Sequence, residues 1–368
     1  MLERIDADRL IAWYRKHKRT LPWRETGDPA DVWISEIMLQ QTRVEAVKRY
    51  FTRFREALPD IRSVAECPED RLLVLWEGLG YYSRARNIKK CAEKLIRDFG
   101  GELPADYEEL KKLPGIGSYT AGAIASIAFG IPVPAVDGNV LRVYARLEGI
   151  PDDIRLPETK ERFRRELAAF LEGEARGGGP GLPVSEFTQA LMELGALVCV
   201  PNGEPDCGAC PWRERCAAHR SGRTEEIPYR TEKKARRVEE RTILVIRGGD
   251  RFYFRKRPEK GLLAGLYEFP GAGGHLSEEE AVAEVRKMGF DPLRVTPLPE
   301  GKHIFTHVEW RMKAYEIRVA SLGGREDALF VTREELKDLA VPSAFRTWIR
   351  YFTLKDGPEG RDGRQERA

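Results

Sequence analysis

The chain has 368 residues, 42% hydrophobic and 33% charged, with 62 Lys and Arg against 59 Asp and Glu, a formal net charge of +3. That length accommodates two or three domains, each with a core of its own, and the balance excludes a disordered chain while leaving nucleic acid neither required nor forbidden as a partner. No apolar run approaches the ~20 residues of a membrane helix, and the opening MLERIDADRLIAWYRK lacks the apolar stretch of a secretory signal, so a cytoplasmic protein is expected.

Residues 1–222 read as a nearly all-helical domain. In DVWISEIMLQQT (31–42), Asp31 is placed to cap a helix, and Glu36 is the only charge from Val32 to Gln41. With Val32, Trp33 and Leu39 on its face, Glu36 is expected to be poorly hydrated, its pKa raised, and fit to act as a general acid near neutral pH. The plainer reading, a glutamate at the edge of an apolar stripe reaching for water, accounts for this segment equally well. Thr42 and Glu45 have the spacing of a capping box for a helix over Arg43–Arg55, which carries Val44, Val47, Phe51 and Phe54 on one side. A second helix is expected over Ser83–Phe99, stopped by Gly100-Gly101, with Cys91 beside Ile88 and Leu95 in the core.

The stretch LPGIGSYTAGAIASIAFG (113–130) follows a short helix, YEELKKL. Two helices joined by a glycine hairpin turn backbone N–H groups and a helix N-terminus outward, so Gly115, Gly117 and Ser118 can hold a backbone phosphate without reading sequence. A plain turn between helices is the competing reading. In VPAVDGNVLRVYARL (133–147), Asp137 precedes a helix. It is either an N-cap or a second carboxylate opposite Glu36, and paired carboxylates are a common means of cleaving glycosidic bonds. GEARGGGPGLP (173–183) reads as a flexible loop. CVPNGEPDCGACPWRERC (199–216) then gathers four of the six cysteines as C-x7-C-x2-C-x5-C. In a cytoplasmic setting four thiolates, Cys199, Cys207, Cys210 and Cys216, point to a metal centre, zinc or iron–sulfur, rather than disulfides.

Residues 223–239 are polar and charged and are expected to form a linker. Beyond it the periodicity changes. TILVIRG (242–248) and RFYFRKR (251–257) alternate around Gly-Gly-Asp as a hairpin, LSEEEAVAEVRKMG (276–289) reads as a helix, and KHIFTHVEWRMKAYEIRV (302–319) as strands. An α+β domain over 240–354 follows, with a disordered tail at 355–368.

Helix–hairpin–helix, V-D-G-N and four cysteines closing a helical domain resemble the endonuclease III superfamily of base-excision glycosylases. LPWRETGDPADVWISEIMLQQTRVE, GLGYYSRARN and the additional C-terminal domain narrow the resemblance, over nearly all of 5–350, to its MutY family of adenine DNA glycosylases. The resemblance implies a [4Fe–4S] cluster on the four cysteines, shaping a basic DNA-contacting loop with Trp212, Arg213 and Arg215; the family's commonest first gap is six residues, and here it is seven. It implies Glu36 and Asp137 as the catalytic pair, Asn139 orienting Asp137, and adenine flipped from double-stranded DNA carrying an A:8-oxoguanine or A:G mismatch. Trp23, Arg24 and Gln189 match positions lining the base pocket, with Leu39 and Thr42 alongside; Gln41 and Tyr81 match side chains that wedge into the duplex. Tyr119 stands where bifunctional relatives place a Schiff-base lysine, which implies a monofunctional enzyme leaving an abasic site. A monomer is expected. The C-terminal domain resembles a Nudix fold whose metal-binding box is missing from SEEEAVAEVRKMG, and Phe305, Thr306 and His307 match a Phe-Ser-His loop that senses 8-oxoguanine, with Thr for Ser.

Overall fold

The structure is a computed structural model, and it describes residues 2–177, 181–229, 231, 235–323 and 329–355. The expected tail beyond 355, residues 178–180 of the expected loop, and 230 and 232–234 of the expected linker lie outside the described residues. Two compact units are present: Met1–Cys67 with Arg86–Glu232, and Pro68–Ala85 with Lys233–Ala368.

The helices of the first half are α1 (Arg4–His17), α2 (Pro29–Leu39), α3 (Val44–Ala57), α4 (Ile61–Glu66), α5 (Glu69–Leu75), α6 (Ser83–Phe99), α7 (Tyr107–Lys111), α8 (Ser118–Ala123), α9 (Gly138–Glu148), α10 (Pro157–Arg176), α11 (Val184–Leu197) and α12 (Ala217–Arg220). Of these, α5 and the first turn of α6 belong to the second unit. Burial follows the 3.6-residue period: α3 buries Val47, Phe51 and Phe54, α10 buries Phe163, Leu167 and Leu171, and both leave charges outside. One apolar cluster joins Leu10, Ile11 and Tyr14 of α1 to the inward faces of α9, α10 and α11. Among the described residues no helix is long and apolar enough to cross a membrane.

Several boundaries differ from the sequence reading. Asp28, not Asp31, caps α2, accepting from the Ala30 N–H at 2.8 Å with Pro29 in the first turn. Asp31 is one turn inside, buried, and paired with Arg55 at 2.6 Å. The Thr42 box does not form, because the N-cap is Arg43 and no side chain caps it. Helix α10 runs to Arg176, through the first residues of the expected loop. The expected linker is held at both ends: Ile227 is buried in the first unit's core, the Thr231 N–H donates to Asp153 at 3.0 Å, and a strand begins at Arg237.

The second unit is built on a seven-stranded sheet of β1 (Arg237–Gly248), β2 (Arg251–Lys256), β3 (Tyr267–Glu268), β4 (Gly271–Gly273), β5 (Pro292–Ile304), β6 (Val308–Val319) and β7 (Leu329–Val331). The order is β3-β2-β1-β6-β5, with β4 on β1 and β7 on β2; β1 and β6 are parallel and the other pairs antiparallel. The apolar run in β1 is explained by burial on both faces. Ile243 and Val245 pack with Trp348 and Phe352 of α14 (Arg346–Lys355), whereas Leu244 and Ile246 pack with Ala281 and Val285 of α13 (Glu278–Lys287). The β1–β2 hairpin turns at Gly249-Asp250 as its sequence indicates.

Candidate active site

Helix α2 is buried nearly all round, with Val32, Trp33, Ile34, Ile37 and Met38 inside. Glu36 shares that environment at 7% exposure. Loss of hydration pushes its carboxyl up to about 7, against the opposing pull of the Tyr119 hydroxyl, which donates to Oε2 at 2.5 Å. A nearby Asp137 carboxylate adds to the rise. The open alternative for Glu36, a side chain reaching into bulk water, is thereby excluded.

Tyr119 is placed by the hairpin. Between α7 and α8 the chain turns through Gly115, whose φ is +76°, and an added Cβ would sit 2.6 Å from Cβ of Asn87. Leu113 and Ile116 anchor the turn in the core while Gly117 and Ser118 stay exposed at the start of α8. Gly117 offers no side-chain cap, so the first N–H groups of the helix face outward. Helix α8 then passes into a π-helical turn, Ile124–Ala128.

Asp137 does cap α9, accepting from the Val140 N–H at 2.7 Å through Oδ1. Its second oxygen accepts from Asn139 Nδ2 at 2.8 Å. Burial raises the Asp137 pKa, and these two donors with Arg142 counter part of that rise. Capping and catalysis are therefore not exclusive: one oxygen starts the helix and the carboxylate faces the same cavity as Glu36. Arg142, which the sequence reading did not single out, fixes the arrangement from behind. Its guanidinium donates to Asn139 Oδ1 at 2.8 Å, Gly195 O at 2.7 Å and Cys199 O at 2.6 Å. Gly195 lets α11 come this close, since a Cβ there would lie 2.5 Å from Cβ of Asn139.

The cavity that collects these groups is about 340 Å³. Glu36, Tyr119, Asp137 and Asn139 line it, as do Trp23, Arg24, Leu39, Gln41, Thr42 and Gln189. Trp23 is held edge-on by Phe51 at 5.4 Å, and Gln189 Oε1 accepts from the Tyr14 hydroxyl at 3.1 Å. Gln41 stands at its mouth with φ +58°, exposed. Among the wall residues that the sequence reading missed are two charged ones, Glu193, one turn beyond Gln189 on α11, and Arg19. Glu193 has no exposure, and burial alone would raise it; the guanidiniums of Arg19 (2.8 Å) and Arg24 (3.0 Å) outweigh that and hold it at about 2. The site thus keeps one carboxyl protonated near neutrality and another firmly ionised within a single cavity.

Tyr81 does not line this cavity. It lies in the second unit at φ +48°, 45% exposed, with its hydroxyl on Thr306 Oγ1. Arg84 holds the turn beneath it, donating to Leu79 O at 3.0 Å and Gly80 O at 3.1 Å. Phe305, Thr306 and His307 form the tip of the β5–β6 hairpin, closed by the Phe305 N–H on Val308 O at 2.8 Å. Thr306 and His307 are exposed, and Phe305 is braced edge-on by His303 (4.5 Å) and Trp310 (4.8 Å).

The four cysteines lie in one loop over the first unit's core, with Cys199, Cys210 and Cys216 packed against it and none in a disulfide. Among the described residues no three His, Cys, Asp or Glu side chains converge on a point that could hold one metal ion. The donors nonetheless suit a cationic cofactor that takes thiolates. Burial pushes the Cys210 thiol up to about 12, the neighbouring cysteines add to the rise, and Arg146 donates to Cys199 Sγ at 3.3 Å. The loop's side chains differ from expectation. Trp212 is buried and donates to Asp6 O at 2.9 Å, and Arg215 pairs with Asp6 and Glu148, both at 2.8 Å, leaving Arg213 outward.

Comparison with known proteins gives two domain matches: the HhH-GPD superfamily of base excision DNA repair proteins over residues 34–172 and the NUDIX domain over 241–351. An adenine DNA glycosylase of Rattus norvegicus is 32% identical over 407 residues, covering 93% of this chain and 77% of that one. One from Schizosaccharomyces pombe is 35% identical, covering 90% of this chain and 86% of that one. Among solved structures, a thermostable thymine-DNA glycosylase superposes with a TM-score of 0.51 at 24% identity, covering 59% of this chain and 96% of that one, a likeness of fold.

Proposed function

The chain belongs to the adenine DNA glycosylase family, base-excision enzymes acting on mismatched bases, and from that membership we propose that it hydrolyses the N-glycosidic bond of adenine paired with 8-oxoguanine or guanine in duplex DNA. The observation that carries this reading is the buried Glu36, its carboxyl pushed up to about 7 by loss of hydration, sharing one cavity with Asp137. A flipped adenine enters against Trp23, and Glu36 delivers its proton to the base, so that the glycosidic electron pair leaves with a neutral purine. Positive charge develops on the sugar, and the Asp137 carboxylate, aimed by Asn139, stabilises or traps it until water adds at C1′. Tyr119 hydrogen-bonds Glu36 and has no amine, so no Schiff base forms and the product is an abasic site.

Cys199, Cys207, Cys210 and Cys216 are proposed to hold a [4Fe–4S] cluster, with Arg146 offsetting part of the negative charge of the four thiolates. When bound, the cluster supplies a fixed loop shape and not bond cleavage. The hairpin tip Phe305–His307 is proposed to read the 8-oxoguanine opposite the adenine, supported by its exposed Thr306 and His307 on a braced Phe305. The test is incubation with duplexes carrying adenine opposite 8-oxoguanine, guanine or thymine, with and without alkali and borohydride. Strand breaks at adenine are expected in the first two duplexes, only after alkali, with no borohydride adduct. A covalent adduct in good yield, or breaks without alkali, contradicts the monofunctional reading.

A further inference from the structure

Beside the hairpin tip the sheet carries an arginine whose position the excision chemistry does not explain. Arg241 on β1 lays its guanidinium over the ring of Trp310 at 4.2 Å, and Trp310 is 1% exposed. The neighbouring carboxylates are already engaged. Glu268, itself buried, takes Arg255 at 2.9 Å and also Arg257, while Glu239 accepts from Trp310 Nε1 at 3.0 Å and pairs with Arg237 at 2.5 Å. Among the described residues Arg241 makes no ion pair and no side-chain hydrogen bond; the stack on Trp310 is its contact. It is partly buried, and loss of hydration lowers its pKa.

Glu268 and Glu239 act on Arg241 only from a distance, and a partly dehydrated guanidinium with no anion in contact is in an unfavourable state that an incoming anion relieves. Stacking on a buried indole also fixes its plane, so little side-chain entropy remains to be lost on binding. The same indole touches Phe305 at 4.8 Å, so the shared ring places the guanidinium carbon no more than about 9 Å from the Phe305 ring. Phosphates recur about every 3.4 Å of axis along one DNA strand, so a base held at Phe305 brings its own strand's phosphates into that range.

We propose that Arg241, presented on Trp310, binds a backbone phosphate of the DNA strand whose base the Phe305–His307 tip reads. The inference rests on the reading of that tip as the side facing the base opposite adenine. A phosphate contact is independent of base identity, so Arg241 contributes affinity and register whereas the tip contributes discrimination.

The experiment uses full-length Glu36→Gln protein, so that duplex stays intact, and measures equilibrium binding across a salt series with 8-oxoguanine or guanine opposite adenine. Adding Arg241→Gln is expected to weaken both duplexes equally, by about tenfold, and to reduce the slope of log K against log salt by about 0.9. Arg241→Lys keeps the charge without the planar stack and is expected to retain the slope, which keeps the comparison decisive even where melting temperatures fall. An unchanged slope in Arg241→Gln overturns the proposal, as does a loss confined to the 8-oxoguanine duplex. Phe305→Ala in the same assay tests the tip separately: unchanged preference for 8-oxoguanine there removes the reading of the tip and leaves the phosphate contact standing.

Discussion

Replacing Glu36 with Gln is expected to slow adenine excision by about ten-thousand-fold at saturating enzyme while making the folded protein more stable above neutral pH. The two effects have one origin. In the folded protein Glu36 holds its proton to about 7, against an ordinary value of 4.5. Between those values the native state binds more protons than the unfolded chain, so stability falls as pH rises through the interval. At 1.36 kcal/mol per pH unit, the full difference is about 3 kcal/mol. An amide of the same shape can still accept from Tyr119 and has no charge to bury. Melting curves at about pH 8 are therefore expected to place the variant several degrees above the parent, with the two converging below pH 4.5. A variant that is inactive but equally or less stable at alkaline pH points to a Glu36 whose pKa the fold does not raise.

The second large effect is expected at Asp137. Asn is as good an N-cap as Asp, so Asp137→Asn leaves the start of α9 in place and the Asn139 contact can be re-formed. What is lost is the negative charge facing the sugar as it becomes cationic. Excision is expected to fall about thousand-fold, with duplex affinity and melting temperature little changed. Rapid-quench rates alongside binding isotherms separate these outcomes. A loss of affinity equal to the loss of rate points instead to a role in holding DNA.

The burial of Glu36 was legible because a buried charge leaves a mark: nine residues around it carry no other charge, and α2 proved to be buried on nearly every side. Asp137 was legible because the residue before a helix has few roles: it caps α9 as expected, and it also lines the cavity with Glu36. Glu193 and Arg142 were missed. Arg142 sits among ordinary helical charges in the sequence, and only the meeting of α9 with α11 at Gly195 places it behind Asn139. Glu193 is the only charge from Phe187 to Gly203, the same mark that Glu36 carries, and it lies four residues beyond Gln189 on one face. The Trp212 and Arg215 expectation failed because an apolar ring and an arginine on a loop can turn inward when the adjoining helices offer a carbonyl and two carboxylates. In the second unit, β5 was read only from Lys302 onward. Pro292, Pro297 and Pro299 argue against a central strand, but β5 is an edge strand, where a missing N–H leaves no partner unpaired.

The central claim, that a protonated Glu36 supplies the leaving adenine with its proton, is tested most directly by the pH dependence of single-turnover excision on an adenine:8-oxoguanine duplex at saturating enzyme. The rate is expected to fall about tenfold per unit above a midpoint near 7, the pH at which Glu36 loses its proton, and to fall on the acid side only where Asp137 takes up a proton of its own. A rate that stays level well into the alkaline range, or that rises there, contradicts the assignment.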